Sequence, residues 1–151
     1  RGADVKEILE YLVDWTSSAA LFFVPLSLKY IRKSGRVSAA AAFAGELLGL
    51  RPLCQVIDCE SSVIQKIRGE QNIVSRLAEY ATSEMIPHSP YIVMRGCDPS
   101  YAEALTELLT KQLGYPPAES WSTGTTVTCN AGPNVVGIIV KQKPRELTQV
   151  Q

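Results

Sequence analysis

Two short segments carry the residue types from which a binding or reacting site could be built. The first, Ser34-Gly35-Arg36-Val37-Ser38, closes one helix and opens another within a few residues. A fresh helix start offers unpaired N–H groups and the positive end of the dipole, and Arg36 adds a guanidinium beside them. That combination suits an anion, a carboxylate or a phosphate. Ser38 is placed to cap the new helix. The small residues behind it, Ala40 and Ala41 among them, let an apolar ligand body lie close to the backbone. On residue type alone, the plainer role for Arg36 is to pin a tight interhelical loop through acids or carbonyls of its own chain, as loop arginines commonly do. The second segment, Asn130-Ala131-Gly132-Pro133-Asn134, reads as a loop between two strands. Its small residues would allow backbone to approach a ligand, with two amide side chains as donors. A Gly-Pro pair between strands is equally an ordinary turn.

Other reactive residue types are weaker candidates. Lys66 and Arg68 form a small basic corner before Gly69, fit for a phosphate or a partner protein, although a solvated strand end explains it as well. His88 lies between Pro87 and Pro90 and reads as a surface loop residue. Cys129 next to Asn130 evokes a nucleophile, but no His is near in sequence, and a thiol buried in a strand would hold its proton. Cys54, Cys59, Cys97 and Cys129 are scattered without a CxxC pair, which argues against zinc. Free thiols in an apolar core point to a reducing, cytoplasmic setting. No catalytic residue, metal or cofactor is expected.

The elements that must position these segments follow from periodicity. Asp4 and Glu7 form a capping box, and Val5, Ile8, Leu9 and Leu12 repeat on one helical face to about Trp15. Ala20 to Val24 reads as a buried strand stopped by Pro25. Leu28 and Ile31 belong to a short helix whose last turn is basic and which Gly35 ends. Ala39 to Leu48 is small or apolar nearly all round, a helix buried on most sides. Pro52 to Ile57 and Val63 to Ile67 suggest an antiparallel pair across the polar stretch Asp58 to Ser62. Glu70 to Met85 is an amphipathic helix, Tyr91 to Met94 a strand, and Asp98 caps a helix with Pro99 at its first position and Tyr101 to Leu113 along it. Trp121 to Cys129 alternates and is rich in Thr, as in a strand, and Val135 to Val140 is continuously apolar, as in a central one. Together these predict an α/β fold with a mixed, largely antiparallel central sheet and helices packed on its faces. One domain over residues 1–143 is expected, with a polar tail over 144–151.

Composition removes several function classes. Fifteen basic residues balance fifteen acidic ones, so no long-range field draws nucleic acid or an anionic membrane. The apolar runs fall short of the roughly 20 residues a membrane-spanning helix needs, so no stable membrane insertion is expected. Residue 1 is Arg, without a secretory layout, and the chain reads as a piece of something longer.

Four ordered motifs supply a resemblance. Leu28 to Ser38 resembles the DegV family's Leu-containing helix followed by Gly-Gly-Arg-Ile-Ser, and Leu47-Leu48-Gly49-Leu50-Arg51-Pro52-Leu53 its Leu-Leu-x-Ile-Lys-Pro-Ile. Lys66-Ile67-Arg68-Gly69 is similar to its Lys-Val-Arg-Gly, and Asn130-Ala131-Gly132-Pro133 to its His-x-Gly-Pro loop. The resemblance runs from about Val5 to Lys141. It implies the C-terminal half of a two-domain bacterial carrier, not a self-sufficient enzyme, in which one long-chain fatty acid lies between the domains with its tail in this one. The family's Ser and Thr head-group ligands belong mainly to the N-terminal domain, leaving Arg36 and Asn130 as this half's share. Ser38, Val37, Ala40, Ala41, Leu28, Ile31, Ala131 and Gly132 join them as implied ligand contacts. Such a carrier serves phospholipid metabolism by presenting its acyl carboxylate to a separate fatty acid kinase, toward which Arg68 would face. The resemblance also reverses the plainer reading of Arg36. Two departures stand out: Ser34 replaces the first Gly of the family's pair, and Asn130 stands where many members have His, an amide that donates a hydrogen bond but carries no proton.

Two other classes stay open. An enzyme acting on a small phosphorylated or carboxylated metabolite at the Arg36 and Asn130 loops would need a nucleophile or base that the sequence does not offer. A pure interaction module would use the face that a missing domain otherwise covers, and an uncovered apolar cleft would favour self-association of the isolated chain.

Overall fold

A strand that is apolar at every position has no side it can show to water, so the run Ala19–Pro25 demands cover on both faces. The computed structural model describes residues 2–35 and 49–143 and places that run, β1, at the centre of the molecule. The elements in chain order are α1 (Val5–Ser18), β1 (Ala19–Pro25), α2 (Leu28–Lys33), β2 (Leu50–Ile57), β3 (Glu60–Arg68), α3 (Ile73–Glu84), β4 (Tyr91–Arg95), α4 (Ser100–Leu113), β5 (Glu119–Ser122), α5 (Thr125–Ala131) and β6 (Val135–Lys141). A single turn of tighter helix, Glu70–Asn72, leads into α3. The expected helix over Ala39 to Leu48 lies outside the described residues.

Six strands form one sheet in the order β3-β2-β1-β6-β4-β5. β1 pairs antiparallel with β6 along its whole length, from Ala19 opposite Lys141 to Pro25 opposite Val135. β1 with β2, β2 with β3 and β4 with β6 are also antiparallel, and β4 with β5 is parallel because α4 carries the chain across between them. The sheet is thus mixed and largely antiparallel, as the sequence predicts.

The pleat sorts side chains to two faces. Ala20, Phe22 and Val24 of β1 and Val136, Ile138 and Val140 of β6 point into the larger core, against Ile73, Leu77 and Ala81 of α3 and Leu105 and Leu109 of α4. On the opposite face Phe23, Cys54, Met94 and Val135 meet Leu28 and Ile31 of α2 and Ala131 of α5. Gly137, opposite Phe23, keeps that second layer tight, since a Cβ there would come within 3.0 Å of Phe23 Cβ and 2.9 Å of Met94 Cε.

Several boundaries depart from expectation, each for a local reason. α1 continues to Ser18, past Trp15, where the Ala19 N–H closes the last turn on the Trp15 carbonyl and the Gln142 N–H takes up the Ser18 carbonyl at 2.7 Å. The turn between β2 and β3 is only Asp58 and Cys59, both with positive φ (51° and 64°), so the ladder claims Glu60 to Ser62 as strand. Pro99 is the cap residue of α4, and Asp98 Oδ1 accepts the Ser100 N–H at 3.0 Å. The largest correction falls on Trp121 to Cys129, which is not one strand: β5 ends at Ser122 and α5 begins at Thr125. Thr-rich alternation imitates a strand, but Val127 and Ala131 are four residues apart and together make one apolar helical face turned inward.

Burial separates the four cysteines, all of them free. Cys54 lies in the second core layer, and Cys59, Cys97 and Cys129 are exposed. Desolvation pushes the Cys54 thiol from 9.0 up to about 12. Below pH 9 the thiol is neutral in both states. Between there and 12 the folded protein keeps a proton that the unfolded chain has lost, so stability falls as pH rises. Iodoacetamide at pH 8 is expected to alkylate Cys59, Cys97 and Cys129 rapidly and Cys54 only upon unfolding. In denaturant titrations at stepped pH, the Cys54→Ala variant should show a shallower alkaline loss of stability than the parent; equal slopes would contradict this assignment.

Candidate functional site

Among the described residues, the second face of the sheet is the one whose cover is incomplete. α2 and α5 are short, and between them and the strands a half-open cavity of about 150 Å3 remains, lined by Leu21, Phe23, Ile31, Val56, Ser61, Thr126, Val127, Asn130 and Ala131. Leu21 and Phe23 reach it because they alternate with the core-facing residues of β1, and Val56 stands directly opposite Leu21 in the neighbouring strand.

α2 and α5 are fixed by their ends. Ser27 caps α2 by accepting the Lys29 N–H, Leu28 and Ile31 are buried beneath the helix, and Ser34 Oγ donates to the Ile31 carbonyl at 2.9 Å. Gly35 follows with φ +77°, the left-handed stop that the sequence predicts. In α5 the Thr128 hydroxyl donates to the Gly124 carbonyl at 3.1 Å and the Gly132 N–H closes the last turn on Thr128 O at 2.9 Å. The corner beyond is clamped to the sheet: Gly96 N–H donates to Val135 O, Cys97 N–H to Pro133 O, and Leu26 N–H to Asn134 O. A Cβ on Gly96 would stand 2.3 Å from the Pro133 carbonyl oxygen, so this close approach requires glycine.

Ile31, Asn130 and Ala131, three residues singled out from sequence, therefore share one wall. Leu28 is buried in the layer below the cavity and does not line it. Gly132 abuts α2: with φ +97° it stands where a Cβ would be 2.8 Å from Tyr30 Cδ2, holding the two helices close. Arg36, Val37, Ser38, Ala40 and Ala41 lie outside the described residues. Arg68 is exposed at the end of β3, seven residues from the cavity's Ser61, or about 23 Å at strand rise.

Two corrections concern chemistry. Asn130 and Ala131 are not in a loop between strands but in the last turn of α5, where Asn130 Nδ2 donates to the Thr126 carbonyl at 2.8 Å. Cys129 is exposed on that helix, so it is not the strand-buried thiol expected.

Sequence reasoning did not single out Leu21, Phe23, Val56, Ser61, Thr126 or Val127. The available signal was β1 itself, whose two-faced apolarity requires partners on both sides. Chemically the walls offer a dry surface for an apolar body, with the hydroxyls of Ser61 and Thr126 and the amide of Asn130 at its polar points. None of the nine lining side chains ionises near neutrality, and no cluster of three or more His, Cys, Asp or Glu suited to a metal occurs among the described residues.

The family model described as "uncharacterised protein, DegV family" matches residues 1–143. A DegV domain-containing protein of Deinococcus radiodurans is 31% identical over 144 residues, covering 92% of this chain and 50% of that protein. A second, from Streptomyces coelicolor, is 24% identical and covers 94% of this chain and 51% of its own length. The chain thus spans about half the length of these relatives. Among solved structures, the fatty acid binding DegV family protein of Streptococcus agalactiae superposes with a TM-score of 0.75 at 25% identity, covering 95% of this chain and 51% of the other. The fold is shared too by the Eubacterium eligens DegV protein loaded with heptadecanoic acid (TM-score 0.78, 18% identity, 94% and 52% covered). The Streptococcus pneumoniae fatty acid kinase B3 protein loaded with linoleic acid has the same fold (TM-score 0.80, 15% identity, 94% and 51% covered). Matched along nearly all of its length by sequence and by architecture, this chain belongs to the DegV family.

Proposed function

We propose that this chain is the tail-holding half of a two-domain fatty acid carrier. The observation that carries this reading is the apolar cavity between α2, α5 and the strands, whose wall includes Ile31, Asn130 and Ala131. It is supported by structural relatives whose bound molecules are long-chain fatty acids. The acyl tail enters over Leu21, Phe23 and Val127, and the carboxylate is held by Asn130 together with Arg36 and Ser38. The head-group hydroxyls of the N-terminal domain complete the site. Once seated, the carboxylate is presented to a separate fatty acid kinase, which docks on the side bearing Arg68, and this chain performs no chemistry of its own. The compartment is the cytoplasm.

Magnitudes show why a second half is needed. At the roughly 30 Å3 that a water occupies in the liquid, the cavity has room for about five methylene-sized groups. Each buried methylene contributes ~0.8 kcal/mol, so these walls alone supply ~4 kcal/mol, a dissociation constant near 1 mM. A long-chain acid therefore needs further walls, which in the two-domain reading the other domain supplies.

Mass spectrometry of the complete gene product, purified from cells under native conditions, is expected to find near-stoichiometric long-chain acids. The Val127→Phe variant, which fills the cavity, should lose most of them while keeping its cooperative unfolding. Acid-free preparations of the parent from lipid-replete cells would overturn the reading.

The amide of Asn130 has no proton to exchange, whereas a histidine there would gain charge as pH falls through about 6.5 and hold a carboxylate more tightly below it. Acid retention by the parent is expected to be flat between pH 6 and 8. The Asn130→His variant should retain acid better at pH 6 than at pH 8; equal retention would remove Asn130 from the head-group site.

Arg68→Glu should leave acid content unchanged and slow phosphorylation of the bound acid by a fatty acid kinase by at least about tenfold, a coupling of the size that interfacial charge pairs supply. Unchanged turnover would move the kinase surface elsewhere.

A further inference from the structure

Lys66 and Arg68 stand on one face of the edge strand β3, both exposed, and among the described residues neither has an ionic partner. Side chains alternate along a strand, so a β3 that ran on would add Glu70 to the same row and set a carboxylate two residues from Arg68. It does not run on. Gly69 takes φ 82° and ψ 132°, and the chain turns into the tight turn Glu70–Asn72 that leads to α3. The next acid along β3, Glu60, lies at its far end.

Arg51 decides where that carboxylate goes. It stands opposite Ile67, a residue of the larger core, and so points to the face that α3 covers, away from Lys66 and Arg68. Its Nη2 donates to Glu70 Oε1 at 2.8 Å, and its Nη1 donates to the Leu50 carbonyl at 3.3 Å. Asn72 holds the other side of the turn: Nδ2 donates to the Arg68 carbonyl at 2.8 Å and the N–H to the Gly69 carbonyl at 3.2 Å. The backbone of Arg68 is thus fixed while its side chain stays in water. As a device for stability the Arg51–Glu70 pair is poor. Glu70 is 62% exposed and Arg51 17%, so solvent screens one partner, while the Nε of the other is buried without an acceptor among the described residues. Its distinctive product is electrostatic: the acid nearest to Arg68 in sequence is held on the opposite face.

We propose that Arg51 sequesters Glu70 and so keeps Arg68, with Lys66 beside it, as an unpaired row of cations for an acidic surface of the kinase. Arg51 is a positioning residue here and touches neither ligand nor partner. The proposal rests on the reading of Arg68 given above and adds the charge of what Arg68 meets. With the pair broken, Glu70 is free to neutralise Arg68 and to repel an incoming carboxylate.

Steady-state phosphorylation of the acid-loaded complete gene product by a fatty acid kinase, with ATP saturating and the carrier concentration varied, tests it. Arg51→Met is expected to raise the KM for the carrier at least about fivefold and leave kcat unchanged. Glu70→Asp, one methylene shorter and at an exposed position, should break the same pair without disturbing the buried side and give the same rise. Adding Glu70→Gln to Arg51→Met should return the KM to within about twofold of the parent. A merely structural Arg51 gives no such rescue, since the double variant then stays as impaired as the single one. Phenylglyoxal labelling of Arg68, read by mass spectrometry without kinase, should slow in Arg51→Met and recover in the double variant. A double variant that fails to recover, or KM and labelling unchanged in both Arg51→Met and Glu70→Asp, would overturn the sequestration. Labelling that follows the expected pattern while Arg68→Glu leaves turnover unchanged would overturn the reading of Arg68 and the partner named here. A tenfold loss in Arg68→Glu with no change in Arg51→Met would overturn the sequestration alone.

Discussion

The two-faced burial of β1 is the constraint from which the rest of the architecture follows. A strand reading Ala-Ala-Leu-Phe-Phe-Val-Pro must be covered above and below, and its pairing with β6, apolar along nearly all of its length, doubles the area in need of cover. α3 and α4 cover one face with regular apolar spacings, and the resulting core is closed. Among the described residues, the other face is covered by α2 and α5, each about two turns long, beside which the strand residues Leu21, Phe23 and Val56 line a half-open cavity. The cavity thus lies between a two-sided sheet and two brief helices. Glycines decide where the short helices sit. Gly96 lets the corner after α5 press against the end of β4, Gly132 lets α5 press against Tyr30, and Gly137 removes the side chain that would prop that layer open.

Most of this architecture could be read from periodicity, because the physical signals were strong. Alternation and unbroken apolar runs marked β1, β4 and β6, the Asp4 and Glu7 pair marked the start of α1, and the 73, 77, 81 spacing marked α3. The failure at Trp121 to Cys129 is instructive. Threonine has strand propensity, and the helix that forms there has just two inward-facing apolar residues, Val127 and Ala131, too few for a 3.6-residue period to emerge. Tertiary contact with α2 overrides local preference. The same blindness hid part of the site. Motif-level reading reached Ile31, Asn130 and Ala131, because they lie in or beside recognisable turns. It could not reach Val56 or Ser61, which join the cavity only through cross-strand register. α1 shows a different limit: its amphipathic pattern was plain in the sequence, but pattern alone cannot say which body the apolar side meets.

Two unfinished surfaces, one concave and one convex, are consistent with a chain that is half of its relatives' length. They differ in energetic character. The cavity is small, and its described walls would hold a ligand only at millimolar strength, so they need a second wall to bind tightly. The apolar arc of α1 is exposed and convex, and it offers no concavity for a small molecule. The two are joined through a short length of backbone. α1 runs directly into β1, and Leu21, the first cavity residue, is three positions beyond Ser18. The C-terminal end of α1 therefore lies about 10 Å along the strand from the edge of the cavity. The Asp14 to Lys141 pair and the Ser18 to Gln142 bond fix the angle at which α1 leaves the sheet. The orientation of α1 relative to the cavity is therefore set at the end of β6, before any ligand is bound.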